Sequence, residues 1–407
     1  RVLLEAHGGL FDVADEDQFK EVVGNTVTNI IDINEYIAYL SDHGTVRLDW
    51  DDYELQAYMQ ANQGTNPKMV TARVFKQLLT ENYTLKEVAL SQGEAIPQGV
   101  ETLVINGPME QFTDWELFQI DQFLMQGKSL AIFLDGLKEE EQAMNQQMYG
   151  YQMPKVYSPV RTGLENLLDH YGVTVKNSYV FDENCWTQPD RYRQQEVSLY
   201  FIPVIQNEYV NEKVPFMKNV RGLVMIQASP LEINEELISE NNIDLRILFS
   251  SSRKSWEVSQ DINLDDPYSI TPPFSQADMK SMPLAVALEG EFTSYYSGKY
   301  LPEKPQKDVE EGEGKPESSE FLSEEVTEET VFIEKAVKPG RIFLVGTSEI
   351  TRDLILELTP PNSLRDTPPN RVLISNTVDY LNGKVDYAVM RSKLQLVNPL
   401  NEEKLTP

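Results

Sequence analysis

From residue 70 onward, short apolar runs of strand length alternate with amphipathic stretches of helix length. That alternation is what most limits the fold. A strand, a helix and a second strand joined by short loops close as a parallel βαβ unit. Several in series require an α/β sheet with helices on both faces. Val74, Phe75, Leu78 and Leu79 form one helix face, which Thr71 can cap. Strands are expected near 85–90 and 102–106, the second ending in Asn106-Gly107-Pro108. Thr113-Asp114-Trp115-Glu116 is a capping box, because the Thr hydroxyl can accept from the Glu amide while the Glu carboxylate reaches back. It opens a helix carrying Trp115, Phe118, Phe123 and Leu124, which Gly127 ends. Ser129 to Leu134 then reads as a buried strand stopping at Asp135-Gly136. A helix with Leu164, Leu167, Leu168 and Tyr171 ends at Gly172, and a strand follows at 174–181. The same text resumes with a strand at 341–345, the turn Gly346-Thr347-Ser348, and a helix from Asn370 to Leu381 closed by Gly383.

The flanking text divides the chain. Residues 1–184 form the first part of the α/β core, opening on a short buried strand at 2–5 that runs into His7-Gly8-Gly9. Within it, 11–66 is a polar, acidic elaboration. There Ile30, Ile33, Ile37 and Leu40 fall at i, i+3, i+7 and i+10, the stripe of an amphipathic helix. Residues 185–302 carry apolar runs separated by prolines and serines, and read as a β-rich extension or lobe. Residues 303–330 hold 11 acidic and three basic residues. They have too little apolar surface to offset chain entropy, so a mobile acidic loop is expected. Residues 331–389 return to the core with its last strand and helix, and 390–407 form a tail. One parallel-rich sheet is expected, built from strands near 2–5, 85–90, 102–106, 129–134, 174–181 and 341–346.

Charge narrows the function. Lys plus Arg number 35 against 65 Asp plus Glu, a formal net charge of −30. Such a surface repels phosphate backbones and excludes nucleic acid as a partner. The longest apolar runs are about five residues, where a bilayer span needs ~20. The chain opens on Arg1 rather than Met, which reads as a piece of a longer protein. One cysteine, Cys185, cannot form an internal disulfide or a cysteine-based zinc site, and reads as an inert thiol.

Motifs that carry chemistry are incomplete. Gly127-Lys128-Ser129 has the last letters of a phosphate loop, but Gln122 replaces its first glycine and the triplet precedes a strand. Asp261 to Asp266 imitates the start of a calcium loop, yet Asp266 takes the place of the turn glycine and Pro272 that of the bidentate Glu. Ser348 follows a strand but lacks the second glycine of a nucleophile elbow. His170 lies at a helix end, where a cation favours the dipole. No catalytic set, metal or cofactor is expected.

An ordered series of segments carries a family resemblance. It runs through His7-Gly8-Gly9, Ile96-Pro97, Thr102 to Pro108, Thr113 to Leu117, Ile120 to Leu124 and Leu130 to Asp135. It continues with Tyr171-Gly172-Val173, Ala228 to Leu231, Ser251-Ser252 with Ser255-Trp256, Ser294-Tyr295, Gly340 to Gly346 and Asn376 to Leu381. The chain resembles the GldG-like auxiliary component of ABC transport systems associated with gliding motility. The first loop departs from it, reading Ala6-His7-Gly8-Gly9 where the family has Gly-His-Gly-Glu.

The resemblance implies a fold similar to the class I glutamine amidotransferases, without the catalytic residues of the enzymes. It implies a non-enzymatic, extracytoplasmic domain held at the cell membrane by flanking helices, working beside an ABC permease and ATPase. The tail from Met390 through Asn398-Pro399-Leu400 would lead to the second of those helices. The alternative is a ligand-binding module, for glycans among other ligands, that serves the transporter. In open α/β sheets ligands sit beyond the carboxyl ends of the strands. His7, Asn106, Asp135, Thr347 and Ser348 stand there, beside glycines that would admit a ligand to the backbone. The same residues are also those that strand-to-helix turns require in any case.

Overall fold

The computed structural model describes residues 4–7, 10–13, 35–62, 66–140, 155–190, 194–218, 220–304, 332–360 and 367–394. Its centre is a seven-stranded mixed sheet. In chain order its strands are β1 (Tyr36–Leu40), β2 (Thr84–Val88), β3 (Val100–Asn106), β4 (Ser129–Phe133), β5 (Asp244–Ser250), β6 (Pro283–Gly290) and β7 (Gly340–Val345). Across the sheet the order is β5-β6-β7-β4-β3-β1-β2. The junctions from β7 to β2 are parallel, and β5 and β6 extend the sheet antiparallel.

Alternation along the strands separates two cores. Val104, Ala131, Phe133, Phe343 and Val345 face one side, with Phe75, Leu79, Ile355, Leu373 and Leu381 from helices Arg73–Thr80, Asp353–Glu357 and Pro369–Leu381. Leu103, Ile105, Leu130, Ile132, Ile342 and Leu344 face the other, with Phe118, Leu124, Leu164 and Leu168 from helices Asp114–Met125 and Leu164–His170. Strands covered on both faces bury residues of either parity, which is why 103–105, 130–133 and 342–345 are continuous apolar runs in the sequence.

Several expectations are corrected. The described residues of the strand expected at 2–5 do not join the sheet. Leu4–His7 pairs antiparallel with Leu10–Val13 as a separate hairpin. The first strand of the sheet in chain order is β1, which lies within the 11–66 stretch. Ile37 and Leu40, read as part of a helical stripe, are buried residues of that strand, while Ile30 and Ile33 lie outside the described residues. A strand buried on both faces has no period of two, so Ile37 and Leu40 carry no strand signature in the sequence.

The single strand expected at 174–181 is two. Val173–Val175 pairs with Leu231–Ile233, and Tyr179–Asp182 pairs with Ser255–Val258, both outside the main sheet. Thr71 does not cap its helix; its hydroxyl donates to Asp353 Oδ2 at 2.6 Å, and Asp353 Oδ1 accepts from the Val74 amide at 2.8 Å instead. The acidic segment lies outside the described residues from 305 to 331, as does the tail from 395. Among the described residues no helix is long and apolar enough to cross a membrane.

Candidate functional site

The carboxyl ends of β3, β4 and β7 lie side by side, and four of the five residues singled out in the sequence meet there. Asp135 follows β4 and Ser348 follows β7. The Ser348 amide donates to Asp135 Oδ1 at 2.8 Å and its hydroxyl to Oδ2 at 2.6 Å. Asn106, at the end of β3, is 0% exposed and donates from Nδ2 to Thr351 Oγ1 at 3.0 Å. The Thr351 hydroxyl donates in turn to the Ser348 carbonyl at 2.8 Å. Thr347 donates to the Ile226 carbonyl at 3.0 Å. His7 is not brought to this edge by the sheet, because its strand belongs to the separate hairpin.

The glycines here admit the protein's own chain. A Cβ on Gly346 would stand 2.0 Å from the Ser229 carbonyl oxygen, and one on Gly136 would stand 2.6 Å from the Ser229 hydroxyl. Ser229 is buried between them, its amide donating to the Gly346 carbonyl at 2.7 Å and its hydroxyl accepting from the Gly136 amide at 3.1 Å. The expected result of Gly346→Ala is therefore a loss of about 3 kcal/mol in unfolding free energy, since backbone rather than a flexible side chain must move. Gly298→Ala, with no atom within 4 Å but a φ of +71°, should cost only about 1 kcal/mol of backbone strain. Urea denaturation of the two variants checks the contrast.

Of the residues named from the sequence, Asp135 borders open space. A cleft of about 760 Å³ lies over the sheet edge, lined by Asp135, Leu137, Lys138, Tyr157, Tyr179 and Glu349 among others. Its volume is in the range of small-molecule sites. Burial pushes the Asp135 carboxyl up to about 6, reinforced by the nearby Glu349 charge and opposed by the two Ser348 bonds and by Arg352. The aspartate is thus poised to change charge near neutral pH.

A second cluster escaped the sequence reading. His43, in the loop after β1, is buried and stacks on Phe112 with ring centroids 4.0 Å apart. Its Nδ1 lies 2.8 Å from Asp42 Oδ1 and its Nε2 3.2 Å from Glu116 Oε2. Burial alone would lower its pKa, but the two carboxylates outweigh burial and raise it. Glu116 meanwhile completes the capping box, accepting from the Thr113 amide at 2.6 Å while its own amide donates to Thr113 Oγ1 at 3.3 Å. The signal was the Asp42-His43-Gly44 turn, which is conspicuous only once 36–40 is read as a strand.

The other flagged motifs have structural roles. Ser129 donates to the Leu381 carbonyl at 2.8 Å, and Lys128 pairs with Glu101. His170 Nε2 lies 2.9 Å from the Thr293 carbonyl oxygen. Burial pushes the Cys185 thiol up to about 11, so it is protonated at neutral pH. Among the described residues no group of three or more His, Cys, Asp or Glu side chains is placed to hold a metal.

Comparison with known proteins gives the class. Residues 35–379 match the family described as ABC-type uncharacterized transport system, an auxiliary component of such systems. The chain belongs to this family. An uncharacterized protein of Borreliella burgdorferi is 24% identical over 158 residues, 37% of this chain. The chain spans only 30% of that relative's length. Among solved structures, the chain is similar to the mmIFT52 N-terminal domain at 12% identity and a TM-score of 0.41, over 85% of this chain and 97% of that one.

Proposed function

We propose that this chain is the extracytoplasmic, non-enzymatic accessory domain of a membrane-anchored auxiliary subunit that works with an ABC permease and its ATPase. The observation that carries the reading is the family match over 35–379, which takes in the whole main sheet. The net charge of −30 suits a role away from nucleic acid. A non-enzymatic role is supported by the state of the candidate nucleophiles. Ser348 is buried with its hydroxyl donated to Asp135, and the Cys185 thiol holds its proton. The more specific GldG-like, gliding-motility assignment rests on the ordered segments of the sequence. So does the proposed class I glutamine amidotransferase-like fold, to which the run of parallel junctions from β7 to β2 adds support.

Protease accessibility tests the placement. In intact cells with any outer membrane opened, the domain should be cut by added protease while a cytoplasmic marker survives. Protection until the inner membrane is lysed would reject the extracytoplasmic reading. A second reading, a ligand-binding module serving the transporter, is favoured by the cleft over the carboxyl edge of the sheet, where open α/β sheets hold their ligands.

A further inference from the structure

We propose that the cleft over the carboxyl edge of the sheet takes a small organic cation, one bearing an ammonium or guanidinium group. This inference rests on the ligand-binding reading and names the ligand class. Four carboxylates line the cleft: Asp135, Glu139, Glu140 and Glu349. Lys138 is the one Lys or Arg among the lining residues, and its ammonium is turned to the Met109 carbonyl at 3.3 Å. Glu139 is balanced by Lys155 at 3.1 Å and Glu349 by Arg352 at 3.3 Å, but Asp135 meets only the amide and hydroxyl of Ser348. An anion entering this space would face four carboxylates against one lysine in the lining.

The apolar part of the lining suits the same ligand. Tyr157 and Tyr179 stand edge to face, with ring centroids 5.8 Å apart, and Met109 and Leu137 complete the wall. Tyrosine rings attract cations through the negative face of the π-system, while the aliphatic part of an amine packs on the apolar wall. Gln227 adds an amide for hydrogen bonding.

Asp135 gives the site a signature. It is 7% exposed, and burial holds its proton on to about pH 6. The charged groups facing it are Glu349, which favours the neutral form, and Arg352, which favours the ionised form; Tyr179 is the nearby phenol. A cation in the cleft favours the ionised carboxylate. Its affinity should therefore rise as pH increases through about 6, with proton release on binding below that value.

The test is isothermal titration of the full chain with spermidine and agmatine, and with chitotriose and inorganic phosphate as neutral and anionic probes, at physiological ionic strength. The expected result is one saturable cation site, tighter at pH above 6 than below. Glu140→Gln combined with Glu349→Gln should weaken it about tenfold or more. Glu235→Gln combined with Glu236→Gln, on the exposed helix Glu235–Glu240, should leave it unchanged. Equal weakening in both double variants would overturn the proposal, because the cation would then be reading overall charge. Chitotriose or phosphate bound in place of the cations, and lost in the cleft variant, would overturn the cation inference and keep the ligand reading. No saturable binding of any probe would overturn both.

Discussion

Replacing Asp121 with alanine is expected to cost about 3–5 kcal/mol, the largest effect of any single substitution considered for this chain. Asp121 sits on helix Asp114–Met125 and is 0% exposed. Its Oδ1 accepts from the Tyr171 hydroxyl at 2.5 Å and the Tyr295 amide at 2.8 Å. Its Oδ2 accepts from the Ser294 hydroxyl at 2.7 Å and Gln122 Nε2 at 3.0 Å. One carboxylate thus ties this helix to the residue after helix Leu164–His170 and to the segment that follows β6. Alanine leaves those donors buried without an acceptor, which costs far more than the net worth of the bonds themselves. Ser294→Ala removes one of the four donors together with the acceptor of the Tyr296 amide, and should cost about 2 kcal/mol. Urea midpoints decide the matter. A loss of under about 1 kcal/mol for Asp121→Ala would mean that water or a rearranged loop replaces the carboxylate.

The second large effect is on pH dependence. In the folded chain Asp135 keeps its proton up to about pH 6, against an ordinary value of 3.8. Between those values the folded state binds more protons than the unfolded one, so stability falls as pH rises. The penalty is absent below the ordinary value, complete above about pH 6, and worth about 3 kcal/mol. Asp135→Asn should abolish this slope, so that the variant gains on the parent by that amount from about pH 4 to about pH 7. His43 acts in the same direction but higher. Its folded pKa is raised above 6.5, so its stabilisation is complete below that value and is lost as pH rises through the folded value. His43→Gln should flatten the parent's decline on the alkaline side. Denaturant midpoints across the pH range separate the two sites. An unchanged slope in Asp135→Asn would mean that this carboxyl titrates normally.

What could be read in the sequence was what local chemistry determines. The runs at 103–105, 130–133 and 342–345 are apolar at successive positions because both sheet faces are covered. The Thr113–Glu116 box needs only neighbouring residues, and both of its bonds form. Thr71 shows the opposite case. It was a plausible cap by position, but the acceptor that caps its helix is Asp353, supplied by a segment far along the chain. The strand at 36–40 was hidden for a different reason: full burial erased the period that distinguishes strand from helix.

The candidate site divides in the same way. Asn106, Asp135, Thr347 and Ser348 could be placed at strand ends because strand ends are legible. The bonding of Ser348 to Asp135 could not, since it follows from β4 lying next to β7 across the whole 185–302 stretch. Nor could the role of the glycines, whose space Ser229 and Ser348 fill from distant segments. Glu349 joins Asp135 at the cleft only through that same strand order, and Tyr157 and Tyr179 reach it from strand pairs outside the main sheet.

Affinity purification of the full-length protein from the membranes of its own cells tests the central claim most directly. With mild detergent and a tag that leaves this domain free, an ABC permease and its ATPase should co-purify in near-stoichiometric amounts. A domain bearing the Asp121→Ala destabilisation should recover less of both. Recovery of the protein without any transporter subunit, from membranes where the permease is abundant, would contradict the accessory role.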